Sequence, residues 1–177
     1  MTPILSIITT TCNSGSFVEE TIKAVLDQNT DFEFEYIISD DGSTDNTLEV
    51  VESLKSNHKN GNSIRTIVNK KNQGVMKNFF VAVKQTKGEF IAFCDSDDVW
   101  GDREKLQKQI EYMKAHSDVS ITFHSYKNIT ASDIDVSNFD GSLDVLIKSP
   151  QTSTMVVRGI LRELINENVV NEAAGPQ

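Results

Sequence analysis

Cysteine is scarce in this chain, with two among 177 residues, Cys12 and Cys94. Two thiols cannot make the disulfide framework of a small secreted domain, so a reducing, cytoplasmic setting is the expectation. Each lies at or just past the end of an apolar run and reads as a small buried residue. Positive charge is also in deficit: 17 Lys and Arg face 26 Asp and Glu, a net charge of −9. That balance argues against non-specific nucleic-acid binding, which needs basic patches to neutralise phosphates. A phosphate-bearing ligand would need a cation or backbone amides as go-between. No apolar run approaches the roughly 18 residues of a membrane span, and no basic n-region with an apolar stretch opens the chain. Repeats and low-complexity segments are missing. So are Gly-x-Gly-x-x-Gly and the Walker-type Gly-x-x-x-x-Gly-Lys, which excludes the usual dinucleotide and P-loop enzymes. An EF-hand fails too, because Val99 and Trp100 fall where an acid or amide and a glycine are needed.

What is present centres on Gly88 to Trp100. Phe90 to Cys94 is apolar and uncharged and predicts a short buried strand. Three carboxylates come next within four residues: Asp95, Asp97 and Asp98. Folding alone gives no reason to gather like charges. A hard divalent cation would, since Mg2+ and Mn2+ prefer carboxylate oxygen and keep positions open for substrate phosphates. The plainer alternative is a polar turn with solvated acids.

Other strands are predicted over Ile4 to Thr10, Phe34 to Ser39, Ile64 to Val68, Val119 to His124 and Thr152 to Val157. Leu143 to Ile147 is ambiguous, and Ile129 to Gly141 reads as a polar excursion. Ser16 and Glu19 fit a capping box for a first helix with Val18, Ile22, Val25 and Leu26 on one face. Ser43 or Thr44 is expected to cap a second, with Asp45 in its first turn and Leu48, Val51 and Leu54 along it. Ser56 to Ser63 is expected to be a loop. Val75, Phe79, Ala82 and Val83 mark a third helix, closed by Lys87-Gly88. Asp102 to His116 predicts a fourth, with Leu106, Ile110 and Met113 inward. Gly159 to Ile165 reads as a short helix, and the sequence of Asn166 to Gln177 has no clear pattern.

Alternating strands and helices imply parallel βαβ units covered on both faces. Ligands of such sheets sit beyond the C-terminal strand ends. Three of those ends are chemically loaded: Thr10 to Asn13, Asp40-Asp41, and Asp95 to Asp98. They are expected to share one crevice. Asp41 could accept hydrogen bonds from a base or ribose, or could build a turn with Ser43. Thr10 and Asn13 carry the same two readings. His58 and His116 read as solvated, and His124, at a strand end, as a buried, hydrogen-bonded histidine, the alternative being that it lines the crevice. Trp100 reads as a packing anchor, and Lys70-Lys71 as a solvated loop.

These motifs, in this order, resemble glycosyltransferase family 2. They are Ser6-Ile7-Ile8-Thr9-Thr10-Thr11-Cys12-Asn13, Ser39-Asp40-Asp41-Gly42-Ser43-Thr44-Asp45, Asn72-Gln73-Gly74-Val75 and Asp95-Ser96-Asp97-Asp98-Val99-Trp100. Lys105 to Gln109, Phe123-His124 and Thr152 to Arg158 resemble one branch of it. The resemblance implies a single GT-A domain over 1–177, Rossmann-like, with a mixed, mainly parallel sheet and helices on both faces. Residues 1–100 would be the nucleotide-binding half, and 101–177 the start of the acceptor half. It implies inverting transfer from a nucleoside-diphosphate sugar, UDP-linked by expectation, to a hydroxyl of a glycan or lipid-linked acceptor, with Mn2+ or Mg2+. The product class is polysaccharide or cell-surface glycan, and a peripheral place at the inner membrane face is compatible with it.

Position by position, Thr10, Cys12, Asn13 and Asp41 would meet the nucleotide, with Cys12 standing where the family often has tyrosine. Gly74 and Asn78 would border its pocket, and Asp95 would hold ribose or sugar hydroxyls. Asp97 would bind the metal, supported by Asp98. Thr152, Ser153 and Thr154 would lie on the acceptor side. The family's general base is usually an aspartate after the Thr-Ser-Thr-Met strand. Here Glu172 is followed by Ala173, so the base is expected beyond Gln177. The alternatives are a non-catalytic nucleotide-sugar-binding module of the same fold, or a receiver-like domain with an acid pocket.

Overall fold

The computed structural model describes residues 2–124 and 155–158. Its elements in chain order are β1 (Leu5–Thr11), α1 (Val18–Leu26), β2 (Phe34–Asp40), α2 (Thr47–Asn57), β3 (Ile64–Val68), α3 (Val75–Lys84), β4 (Phe90–Phe93), α4 (Lys105–Ala115), β5 (Ile121–Phe123) and β6 (Met155–Arg158). A single 3-10 turn, Gly61–Ser63, precedes β3. One sheet holds the six strands of the described residues in the order β3-β2-β1-β4-β6-β5. The first four pair in parallel, whereas β6 runs antiparallel to both β4 and β5. A receiver-type sheet is ordered 2-1-3-4-5, so this topology removes that alternative.

Side-chain alternation sorts the core into two layers. Leu5, Ile7, Tyr36, Ile38, Phe90 and Ala92 face α1, α2 and α4, while Ile8, Ile37, Ile91 and Phe93 face Ala82 and Val83 of α3. Strands buried on both sides are mostly apolar, and β4 is so throughout, while β1 and β2 also bury Thr9, Thr11, Ser39 and Asp40, each with a hydrogen-bond partner. On α1, Val18, Ile22, Val25 and Leu26 are each 0% exposed. At about 1.5–3 kcal/mol for each fully buried aliphatic side chain, that face contributes roughly 6–12 kcal/mol before ordering entropy is subtracted.

Several local expectations are corrected. The Ser16–Glu19 box does not form: α1 starts after Phe17 without a side-chain cap, and the Ser14 carbonyl accepts from the Phe17 and Val18 amides. Neither Ser43 nor Thr44 caps α2. Asp45 lies outside the helix and accepts from the Thr47 amide at 3.0 Å, because a side-chain bond reaches back across a tight turn there. That helix runs on to Asn57, into the stretch expected to be loop. Lys87-Gly88 does not close α3, which ends at Lys84. Gly88 is required by close approach instead, since a Cβ there would stand 2.5 Å from Ser6 N and 2.7 Å from Leu5 C. Val75 points to solvent, 74% exposed. His58 is not free in solvent, as its Nε2 lies 3.4 Å from Asp27 Oδ1. Cys12 is exposed, while Cys94 is buried as expected. The readings over Ile129–Gly141, Leu143–Ile147, Thr152–Thr154 and Gly159–Gln177 fall outside the described residues.

Candidate functional site

Parallel pairing fixes where strand ends go. Thr11 of β1 is in register with Asp40 of β2, and Ile8 with Phe93 of β4. The segments after β1, β2 and β4 therefore leave the sheet at one edge, side by side. Hydrogen bonds then tie them together. Thr11 Oγ1 donates to Asp40 Oδ1 at 3.0 Å. Asp40 also accepts from the Ser43 amide at 2.9 Å and from the Ser43 hydroxyl, so Asp40, not Asp41, builds the turn with Ser43. Asn13 occupies the left-handed region at φ 54°, where asparagine is tolerated. From there its Oδ1 accepts from the Thr44 amide at 2.8 Å, and its own amide donates to Ser43 Oγ at 2.8 Å. Thr10, half-buried, precedes this zipped pair of loops.

Asp41 is 3% exposed. Its Oδ1 accepts from Asn69 Nδ2 and the Gln73 amide, each at 2.9 Å, and its Oδ2 from the Gly74 amide at 2.9 Å. A carboxylate can accept several such bonds, and charge assistance makes each stronger than a neutral one. Asp41 thus holds the whole loop from Asn69 to Gly74. Gly74 leaves that loop at φ 91°, a conformation that favours glycine, and opens α3. Asn78 is 1% exposed, with its amide spent inside: Oδ1 accepts from Ser39 Oγ at 2.6 Å and Asn69 Nδ2 at 3.0 Å. It supports the loop from within the core. Cys12 Sγ accepts from Asn72 Nδ2 at 3.2 Å, joining the β1 loop to the same segment.

The acid stretch is anchored to this group. Ser96 Oγ lies 3.0 Å from Ser14 Oγ, and the Ser96 carbonyl accepts from Thr21 Oγ1 at 2.8 Å. The Asp98 amide donates to the Asp95 carbonyl at 3.0 Å, folding Asp95 to Asp98 into a turn. Asp95 keeps solvent access, yet partial desolvation, with the charges of Asp98 and Asp97 added, raises its carboxyl to about 6. Behind the turn, Trp100 is 5% exposed and packs as an anchor. The Lys105 ammonium sits 3.9 Å from the Trp100 ring centroid and donates to Gln109 Oε1 at 2.8 Å. Burial lowers Lys105 to about 7, against the opposing pull of Cys94, Asp102 and Asp98. Burial likewise pushes the Cys94 thiol well up, so that thiol is an inert packing group.

Among the described residues, no group of three or more His, Cys, Asp or Glu side chains is arranged to enclose a metal ion. The charges of Asp98 and Asp97 both act to raise Asp95, so the three acids repel one another. That donor set fits an open Mg2+- or Mn2+-type site, where one or two carboxylates hold the ion and substrate phosphates complete its shell.

The structure thus brings Thr10, Cys12, Asn13, Asp41, Gly74, Asn78 and the segment Asp95–Asp98 to one edge. Thr152, Ser153 and Thr154 lie outside the described residues, and so does Glu172. Sequence reasoning placed Thr11 and Asp40 at the loaded strand ends without their supporting roles, and gave no site role to Ser14, Thr21, Asn69 or Lys105. The signal for Asn69 was available, as it is the first residue after β3 and so reaches the same edge as Asp41.

A family model described as glycosyl transferase family 2 matches residues 6–160. The Mycobacterium bovis protein Mb1547 is 31% identical over 163 residues, covering 87% of this chain and 46% of its own. TuaG of Bacillus subtilis, named as a teichuronic acid biosynthesis glycosyltransferase, is 32% identical over 153 residues, covering 86% of this chain and 55% of its own. The crystal structure of Staphylococcus aureus TarS 1-349 in complex with UDP matches with a TM-score of 0.70 and 27% identity, covering 92% of this chain and 48% of that one. The chain therefore spans about half the length of these relatives. With the match running from β1 through β6 on the mixed α/β sheet of a GT-A fold, the chain belongs to glycosyltransferase family 2.

Proposed function

We propose that this chain carries the donor half of a glycosyltransferase that moves a sugar from a nucleoside-diphosphate sugar to a hydroxyl acceptor. The observation that carries the reading is the hydrogen-bonded union of the β1, β2 and β4 ends with loop 69–74 at a single sheet edge. UDP is the favoured nucleotide, because TarS, a relative at 27% identity, was crystallised with UDP. Thr10, Cys12 and Asn13 form one wall of the nucleotide site. Asp41 fixes the other wall by holding Gln73 and Gly74, and Asn78 by holding Asn69. Asp95 is assigned to ribose or sugar hydroxyls, Asp97 to the metal, and Asp98 to its support.

A divalent cation held there would offset charge on the departing diphosphate. The chain's own residues set the geometry. Ser96, tied to Ser14 and Thr21, fixes the acid turn against the β1 loop, so donor and cation sites keep their spacing. Inversion results if the acceptor hydroxyl attacks from the side opposite the diphosphate. Its proton is assigned to no described residue. Residues 1–100 would hold the donor, and 101–177 with Thr152, Ser153 and Thr154 would begin the acceptor side. The acceptor class is a glycan or lipid-linked glycan, in line with the polymer-building names of TuaG and TarS. Among the described residues no helix is long and apolar enough to cross a membrane.

Calorimetric titration with UDP, with and without Mn2+, tests the proposal. Binding that needs the metal, and that Asp97→Ala abolishes, is the expected result. Absence of any nucleoside-diphosphate binding would refute it.

A further inference from the structure

The net charge of −9 hides an uneven distribution. Between Ser53 and Gly88 there is no Asp or Glu, yet eight of the 17 Lys and Arg lie there. In the fold this stretch supplies the end of α2, the edge strand β3, loop 69–74 and α3. Two of the eight are offset: Lys55 lies 3.6 Å from Glu52, and Arg65 3.4 Å from Glu35. Lys70, Lys71 and Lys77 are exposed and pair with no acid among the described residues.

These lysines adjoin in sequence the most exposed of the large apolar residues among those described. Val68 is 53% exposed, Val75 74% and Met76 61%. The backbone beneath is fixed by Asp41, so the side chains project from a rigid rim. The first turn of α3 holds Lys77 and no acid. A cation is disfavoured at that positive end of the helix dipole, and an external anion would relieve it. Lysines interleaved with exposed aliphatic side chains suit an anionic bilayer: the ammonium groups meet headgroups while the apolar groups enter the headgroup boundary. A soluble polyanion would use the lysines but gives no reason to expose Val75 and Met76.

We propose that the rim of Val68, Lys70, Lys71, Val75, Met76 and Lys77 docks on an anionic lipid surface. The acidic remainder of the chain is repelled by the same surface, which fixes one orientation. Because Asp41 holds the intervening loop at Asn69, Gln73 and Gly74, docking turns the edge that carries the candidate site toward the bilayer.

Co-sedimentation with lipid vesicles tests this directly, comparing phosphatidylcholine alone with phosphatidylcholine containing a third phosphatidylglycerol. Binding to the anionic vesicles only, weakened by salt, is expected. Each lysine at such a surface contributes about a fivefold gain in partition, so Lys70→Gln/Lys71→Gln/Lys77→Gln should lose on the order of a hundredfold. Val75→Ser/Met76→Ser should lose about tenfold through apolar area no longer buried. Lys55→Gln/Lys59→Gln, away from the rim, should bind as the unmodified chain does. All the altered side chains are at least partly exposed, and circular dichroism verifies that each variant folds. Equal binding to neutral vesicles, no binding at all, or a loss in the Lys55/Lys59 variant matching that of the rim variant would overturn the proposal. So would full binding by Val75→Ser/Met76→Ser, which would mark a purely electrostatic polyanion site. No nucleotide or metal enters the assay, so its failure leaves the transferase reading intact.

Discussion

Asp41→Asn isolates what the buried carboxylate does. The change keeps size and shape but replaces one acceptor oxygen with an NH2 group. If the nitrogen takes the Oδ2 position, the Gly74 amide loses that 2.9 Å acceptor, keeps only Asn72 Oδ1 at 2.9 Å, and faces another donor. If it takes the Oδ1 position, Asn69 Nδ2 loses its 2.9 Å acceptor in the same way. Either rotamer therefore forfeits at least one charge-assisted bond, about 1.5–3 kcal/mol, and adds a donor–donor conflict. We expect a loss of about 2–3 kcal/mol, which for a chain of this size lowers Tm by roughly 4–12 °C. Urea unfolding should show a lower midpoint at an unchanged slope, because the core is untouched. Hydrogen exchange at the Gln73 and Gly74 amides should accelerate beyond the global change, since each then has at most one acceptor on residue 41, and that one is uncharged. A stability change below about 0.5 kcal/mol, with both amides still protected, would refute the assignment of Asp41 as the anchor of loop 69–74.

Three further outcomes rest on named contacts. Gly88→Ala places a Cβ 2.5 Å from backbone Ser6 N, and overpacking against backbone should cost about 3 kcal/mol or more in urea denaturation. Gly74→Ala meets no neighbour within 4 Å but must hold φ 91°, so it should cost about 1–2 kcal/mol and weaken UDP affinity in calorimetry. Lys105 titrates at about 7 when folded, below its usual 10.5, so the unfolded chain binds more protons in that window and this group's contribution to stability rises with pH. Between pH 7 and 9 the contribution is about 2 kcal/mol at most. Above the ordinary thiol range the buried Cys94, raised when folded, acts with the opposite sign. In Lys105→Met the rise between pH 7 and 9 should vanish from urea midpoints measured across that range.

The strands and the acid turn are legible in the sequence because their signals are local. An uncharged β-branched run such as Ile4 to Thr10 has few other fates in a chain of this composition. The bounds of β3 agree with those the residue pattern implies. The helix starts are less legible, since capping is decided by backbone geometry that residue types only permit. Ser16 and Glu19 have the right spacing, yet the Ser14 carbonyl takes the role. The same limit hides the division of labour between Asp40 and Asp41. Two adjacent acids look alike in sequence, but strand alternation points one at Thr11 and Ser43 and the other at loop 69–74. Cys12 departs from its expected burial because β1 stops at Thr11, and the chain turns outward into solvent at the next residue. The convergence of the loaded strand ends is implied by parallel topology alone. The supports that make it rigid, such as the 3.0 Å contact of Ser14 with Ser96, depend on tertiary placement across 82 residues and leave no local trace.

The most direct test of the central claim is a crystal structure of this chain grown with UDP and Mn2+, with the metal located by its anomalous signal. We expect one manganese peak on the Asp97 carboxylate and the diphosphate, and the uridine lying between Thr10–Asn13 and loop 69–74. A metal peak away from the Asp95–Asp98 turn, or a nucleotide bound at any other edge of the sheet, would contradict the account.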